Sequence, residues 1–270
     1  MFLKNKFMNK DLVSIITPSF NSSRFISDTI QSVLAQDYIN WEMIIVEDCS
    51  SDTSVEIINK FIEKDSRIQL IVLDINVGAA EARNIAIKKS KGRYIAFLDS
   101  DDIWLPKKLS IQIQFMVENN YGFTFSSYNI MNENGQLIPK AIYVPMSIDY
   151  NGYLKNTIIG CLTVVIDKEK VGCFEMPIIK SSHDMALWLL IMKRGYKAYG
   201  IQENLATYRL VSTSNTAKKI EAAKDVWKVY REIENLNVFK SLYCFLCYTF
   251  FAIMKRTYLF QLFFVHRKPI

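Results

Sequence analysis

Glycine is scarce in this chain, nine among 270 residues, and it is missing where nucleotide-cradling loops need it. After the first strand-like run, Thr17–Ser22 contains no glycine at all. A dinucleotide-binding turn is thereby excluded, and a nicotinamide-dependent oxidoreductase with it. No other stretch forms a glycine-rich phosphate cradle, which also argues against a nucleotidyltransferase that announces itself by such a loop. Cysteine is sparse too. Cys49, Cys161, Cys173, Cys244 and Cys247 form an odd, scattered set that implies no disulfide framework. Cys244 and Cys247 have the C-x-x-C spacing, but they sit in an apolar helical run without a second pair or a nearby histidine. Packing or lipid contact suits them better than zinc or redox chemistry. Residues 1–12 hold no apolar run long enough for a signal peptide, so a reducing cytoplasm is the expected compartment. No repeat or low-complexity linker is visible before about Asn235, which predicts one domain over 1–234 and an appended tail over 235–270.

Acid is absent beyond Glu234. The tail carries Lys240, Lys255, Arg256, Arg267 and Lys268, so it holds +5 of the net +6. The body is therefore near neutral and lacks basic–aromatic clusters, and nucleic acid is not an expected partner. An anionic membrane surface suits the tail better. Half of the residues are hydrophobic, enough for a packed core and against wholesale disorder.

The first third alternates strand-like and helix-like segments. Val13–Ile16, Met43–Val46, Ile68–Leu73 and Tyr94–Leu98 read as buried strands, and helices are predicted over 24–35, 52–64 and 78–89. This alternation means an α/β fold with a mostly parallel central sheet flanked by helices. Further on, a helix is expected from Pro106 to Asn119, then a hairpin of 123–130 with 137–144 turning at Asn132–Gly135. A strand over 162–166, a helix over 184–194, two short strands at 197–201 and 206–210 and a helix over 217–234 follow. In parallel α/β sheets ligands bind at the carboxyl ends of strands. Three such ends carry polar or acidic residues here: Thr17–Asn21, Glu47–Asp52 and Asp99–Asp102. Helix capping accounts for Asp52. It accounts poorly for three carboxylates in four positions, which repel one another unless a cation joins them.

Four blocks in order then resemble the family 2 glycosyltransferases, which have the GT-A fold and invert at the anomeric carbon. They are Val13–Asn21, Ile45–Asp52, Gly78–Ala86 and Gly92–Asp102, and the match continues through 156–165 and 182–209. The subgroup resembled makes teichuronic acids and O-antigens. The resemblance implies that Asp48 receives the donor's base, typically uridine, in a pocket lined by Thr17, Pro18 and Phe20, with Arg83 also facing the nucleotide. Asp99 and Asp101, with Ser100 between them, would be the Asp-x-Asp pair at the ribose and at a metal bridging the diphosphate, Asp101 being the ligand. A hard Mg²⁺ or Mn²⁺ on carboxylate oxygen suits a diphosphate leaving group. Inversion needs a base for the attacking hydroxyl, and the family's acidic residue before a Leu-Trp helix matches Asp184. Helix capping is the alternative role for Asp184. Asp102, His183 and Trp188 stand beside these as residues that touch the acceptor or support the site.

The chain departs from the family pattern in places. Glu47 stands where Asp is common, Cys49 where Gly is common, and His183 where Glu or Gln usually precedes the base. His183 could tune Asp184, touch the acceptor or simply be tolerated. The late histidine that gives some relatives another metal ligand is missing from Tyr208–Ser214. Partners implied by the resemblance are a nucleotide-sugar, with UDP-sugar expected, and a lipid-linked glycan acceptor in surface polysaccharide synthesis. A non-catalytic nucleotide-sugar or glycan-binding module on the same fold is the alternative. It would be expected to lose the Asp-x-Asp pair or the base, and this chain keeps both. The uncharged run Ser241–Met254 rises only ~21 Å as a helix, short of the roughly 30 Å hydrocarbon core, and Tyr258–Val265 is shorter still. The tail is therefore expected to lie in a membrane interface, peripheral on the cytoplasmic face, or else to pack on the domain or form a dimer contact.

Overall fold

The computed structural model describes residues 11–179, 181–211 and 219–254. Four apolar runs form its parallel half: Val13–Ser19 (β1), Trp41–Glu47 (β2), Ile68–Val72 (β3) and Tyr94–Phe97 (β4), in the order β3-β2-β1-β4. Successive side chains leave a strand by opposite faces. From β1, Val13 and Ile15 enter one core with Met43, Ile45 and Ala96, while Ile16 enters the other with Ile44, Val46 and Phe97. Helices cover both faces, and for this reason the strands read as unbroken apolar runs. Ile26–Leu34 (α1), Ser54–Ile62 (α2) and Lys108–Asn119 (α4) supply Ile30, Ile58 and Ile113 to the first core. Ala79–Lys89 (α3), Tyr150–Lys155 (α5), His183–Lys193 (α7) and Lys219–Lys228 (α8) supply Ala86, Leu154, Leu187 and Val226 to the second.

The chain winds outward from β1 to β3 and then returns to β4 on the other side of β1. The loops after β1 and β4 therefore diverge, opening a crevice at the carboxyl edge of the sheet. Beyond β4 the sheet is mixed. Val165–Asp167 (β9) is antiparallel to β4 and to Phe123–Met131 (β6), and Ala198–Arg209 (β10) lies parallel to β6. Ile103–Trp104 (β5) and Ser147–Ile148 (β8) are antiparallel to β10, and Leu137–Ile142 (β7) makes the hairpin with β6. Lys168–Val171 (α6) follows β9.

Three elements differ from the sequence expectation. The two short strands at 197–201 and 206–210 are one strand, β10, whose pairing with β6 slips at Ile201/Asn204 and Asn204/Ala206. The polar stretch Gln202–Asn204 breaks the apolar pattern without breaking the ladder. The strand expected from Leu162 starts at Val165, because Cys161–Thr163 winds as a 3₁₀ turn closed by Thr163 N–H on Gly160 O. The helix expected to run to Glu234 is α8 only to Lys228, then a π turn over Val229–Ile233; residues 217 and 218 lie outside the described residues.

The tail forms a helix, Val238–Met254 (α9). Ser241 and Cys244 are buried, and Phe245 meets Trp227 of α8 edge-on at 5.6 Å between ring centres. Phe239, Leu242, Tyr243, Leu246, Phe250 and Ile253 face outward and are about half exposed or more. No helix among the described residues is long and apolar enough to cross a membrane. Lys255, Arg256, Tyr258–Val265, Arg267 and Lys268 lie outside the described residues.

Candidate active site

The loops after β1 and β2 are stitched together. Asn21, in the left-handed region that asparagine tolerates, donates its N–H to Ser50 Oγ at 2.7 Å and accepts from Ser51 N–H at 3.0 Å on Oδ1. Glu47 folds back onto the Ser50 amide and hydroxyl. Asp48 is buried, and its two carboxylate oxygens accept the backbone N–H groups of Val77 and Gly78 at 2.7 and 2.8 Å. Gly78 has φ of 87° at the start of α3, a conformation that side chains strain to adopt. Asp48 thus ties the end of β2 to the start of α3. Phe20 is 51% exposed, Pro18 is half-buried, and the Thr17 hydroxyl is buried without a hydrogen-bond partner among the described residues.

The acidic turn follows β4. Asp102 N–H closes onto Asp99 O at 3.1 Å, and the Thr29 hydroxyl of α1 reaches Ser100 O and Asp102 O at 2.9 and 2.8 Å. Asp99, Ser100 and Asp101 stay partly exposed, whereas Asp102 is buried. Burial, and then the neighbouring Asp99, push the Asp101 carboxyl up to about 6. Burial, then Asp101 and Asp99, push Asp102 well above the usual carboxylate range. Such crowding favours a bound cation.

Arg83, buried on α3, joins this turn to α7. It pairs with Asp99 and places Nη1 2.6 Å from His183 Nε2. Burial works against its charge, but Asp99 in particular holds the guanidinium protonated, and Asp184 lies within the same field. Burial first, and the Arg83 charge second, depress the His183 imidazole. Asp184 occupies the first turn of α7 while Ser182 is the N-cap residue, so Asp184 does not take the capping position. Its negative charge there is favoured by the helix dipole. Trp188 is fully buried, edge-on to Phe97 at 5.4 Å. Trp188 and Asp102 therefore sit where they support the site from behind rather than where an acceptor could touch them.

The turn after β4, α3 and the start of α7 thus bring together Asp99, Ser100, Asp101, Arg83, His183 and Asp184, while Thr17 and Pro18 lie at the carboxyl end of β1 and Phe20 and Asp48 just beyond β1 and β2. Arg209 and Thr29 went unnoticed as site residues in the sequence. Arg209, at the end of β10, hydrogen-bonds the acidic turn, but 107 positions separate it from Asp102, and only the pairing of β10 with β5 brings them together. For a metal, the donor set is hard oxygen. The Asp101 side chain takes no hydrogen bond from another side chain among the described residues, and Asp102 Oδ2 is buried without a partner. No group of three histidine, cysteine or acidic residues that could hold an ion occurs among the described residues, so further ligands would come from diphosphate and water. This set fits Mg²⁺ or Mn²⁺.

The sequence profile of Glycosyl transferase family 2 matches residues 14–168, more than half of the chain. The chain belongs to glycosyltransferase family 2. It is 49% identical over 247 residues to TuaG of Bacillus subtilis (strain 168), a glycosyltransferase named for teichuronic acid biosynthesis, covering 92% of this chain and 98% of TuaG. It is 40% identical over 252 residues to the Escherichia coli UDP-Glc:alpha-D-GlcNAc-diphosphoundecaprenol beta-1,3-glucosyltransferase WfgD, covering 93% and 97%. In fold, this glycosyltransferase matches S. aureus TarS 1–349 in complex with UDP-GlcNAc at a TM-score of 0.65 and 20% identity. The match covers 82% of this chain and spans 65% of the TarS fragment. The mannosyltransferase PcManGT from Pyrobaculum calidifontis, in complex with GDP-Man and Mn²⁺, matches at a TM-score of 0.65 and 14% identity, with 87% and 71% covered. The fold is GT-A, as the resemblance of the four sequence blocks implied.

Proposed function

We propose that this glycosyltransferase moves a sugar from a UDP-sugar, with inversion, to a hydroxyl of a lipid-linked glycan in surface polysaccharide synthesis. The observation that carries this reading is the continuity of Asp101, Asp99, Arg83, His183 and Asp184 along one crevice edge. Asp48, Thr17, Pro18 and Phe20 receive the base, and Asp99 with Ser100 faces the ribose. Asp101 would hold Mg²⁺ or Mn²⁺, which would supply the positive charge that a diphosphate leaving group needs. Asp184 takes the proton from the acceptor hydroxyl as that oxygen attacks the anomeric carbon. Relatives named for UDP-Glc and diphosphoundecaprenol-linked substrates support both the donor and the acceptor class.

A lipid-linked acceptor also supports a place on the cytoplasmic face of the membrane. The bare apolar face of α9, with the basic tail beyond it, would then rest on anionic lipid.

The test is transfer from a panel of nucleotide-sugars to a polyprenyl-diphosphate-linked sugar, with and without chelator, for wild type and Asp101→Ala. One UDP-sugar should be turned over, with chelator and substitution each removing the activity. Full activity in excess chelator sinks the metal role. Nucleotide-sugar binding without any transfer or hydrolysis points instead to a binding module.

A further inference from the structure

Resting on the proposed role of Asp101, we infer that Arg209 is the positioning residue of the acidic turn. It would fix the Asp101–Asp102 backbone so that the Asp101 carboxylate is presented to a metal–diphosphate.

Arg209 is 2% exposed, a costly place for a guanidinium unless its donors are matched. They are matched on three separate elements. Its backbone N–H donates to Asp102 Oδ1 at 2.8 Å, and its Nε donates to the carbonyl of Asp101, also at 2.8 Å. Nη2 reaches Asp28 Oδ2 on α1 at 3.0 Å, and Nη1 reaches the carbonyl of Glu133 in the β6–β7 turn at 3.3 Å. The guanidinium carbon lies 4.7 Å from the ring centre of Phe25.

The pattern of acceptors is informative. Arg209 takes the backbone carbonyl of Asp101 and not its carboxylate, so it does not occupy the group that a cation would need. Its charge is countered by Asp28, whose side chain is 54% exposed on the far side. Thr29 holds the carbonyls of Ser100 and Asp102 from α1. The peptide that carries the Asp101 carboxylate is therefore tied from β10 and α1, and no other side chain among the described residues takes the carboxylate. A residue needed only for charge could be lysine. One needed for geometry could not, because an ammonium cannot reproduce the fixed fork of a guanidinium.

The experiment uses the full chain. Arg209→Lys should raise the Mn²⁺ concentration for half-maximal transfer about 10-fold or more, the range typical of residues that orient metal ligands. In the metal-free protein, backbone amide exchange at residues 99–103 should speed up while exchange in β1 and β2 stays as in wild type. Asp28→Asn, at an exposed position that leaves the fold intact, should shift both readouts the same way by a smaller factor. Unchanged exchange at 99–103 together with unchanged Mn²⁺ dependence in both variants overturns the inference. If Arg209→Lys fails to fold, Asp28→Asn alone decides. If Asp101→Ala keeps full metal-dependent activity, the role of Asp101 fails, but the exchange in the metal-free variants still reports whether Arg209 holds the turn.

Discussion

Arg83 and His183 share a 2.6 Å hydrogen bond that ties α3 to the helix start carrying Asp184. Arg83 can only donate, so Nε2 of His183 must be the acceptor and the ring is neutral with its proton on Nδ1. His183 thus receives a buried guanidinium N–H. His183→Gln keeps an acceptor there and should retain most stability and activity. His183→Phe leaves a buried N–H unpaired, which costs about 1–3 kcal/mol. That should lower Tm by several degrees and reduce transfer. Equal behaviour of the two variants in thermal melts and turnover removes the hydrogen bond from the account.

Asp184→Asn should leave UDP affinity near wild type and slow transfer by about 10²–10⁴-fold, the usual contribution of a general base. Calorimetric titration with UDP set against initial rates decides it. Loss of both together assigns Asp184 to folding.

Much of the parallel half of the fold was legible because its strands are covered on both faces and so read as unbroken apolar runs. The acidic turn after β4 stood out in the sequence because three carboxylates in four positions have few structural reasons to gather. What could not be read depends on backbone atoms. Asp48 shows as an acid after β2, but the amides of Val77 and Gly78 that occupy it carry no side-chain signal. Arg209 meets the Asp101 carbonyl through the register of β10, a strand whose central polar stretch made it look like two. The tail looked uniformly apolar, and only packing divides α9 into a face that joins the core and a face that does not.

Lys108, outside the crevice, is fully buried. Its ammonium meets Gln112 Oε1 at 2.7 Å and the Trp104 ring at 4.4 Å, and burial pulls it down to about 7. An unfolded lysine titrates at about 10.4. Between about pH 7 and pH 10 the unfolded chain therefore binds more protons than the folded one, and stability from this group rises with pH. Lys108→Met removes that dependence. Urea unfolding should find the variant's advantage over wild type greatest near pH 7 and shrinking toward pH 10. A constant difference across that range means that Lys108 titrates normally.

The two faces of α9 can be tested apart. Because Ser241 and Cys244 are buried and Phe245 packs on Trp227, deleting everything after Asn235 would strip cover from the core as well as any membrane contact. Substitutions on the outward face separate the two. Leu246 and Phe250 are exposed, and the described part of the tail contains no acid to repel anionic lipid. Lys240 near the Tyr150 ring and Lys155 near the Tyr243 ring, each at 6.0 Å, add positive charge where α5 meets α9. Leu246→Glu with Phe250→Glu removes apolar area and adds repulsion without touching the packed face. Wild type should co-sediment with vesicles containing phosphatidylglycerol and release in high salt with mild detergent. The double variant should stay largely in the supernatant, yet hydrolyse donor at the wild-type rate and melt at the same temperature. Equal vesicle binding by both proteins, or none by wild type, leaves the outward face of α9 as a contact for protein and not for lipid.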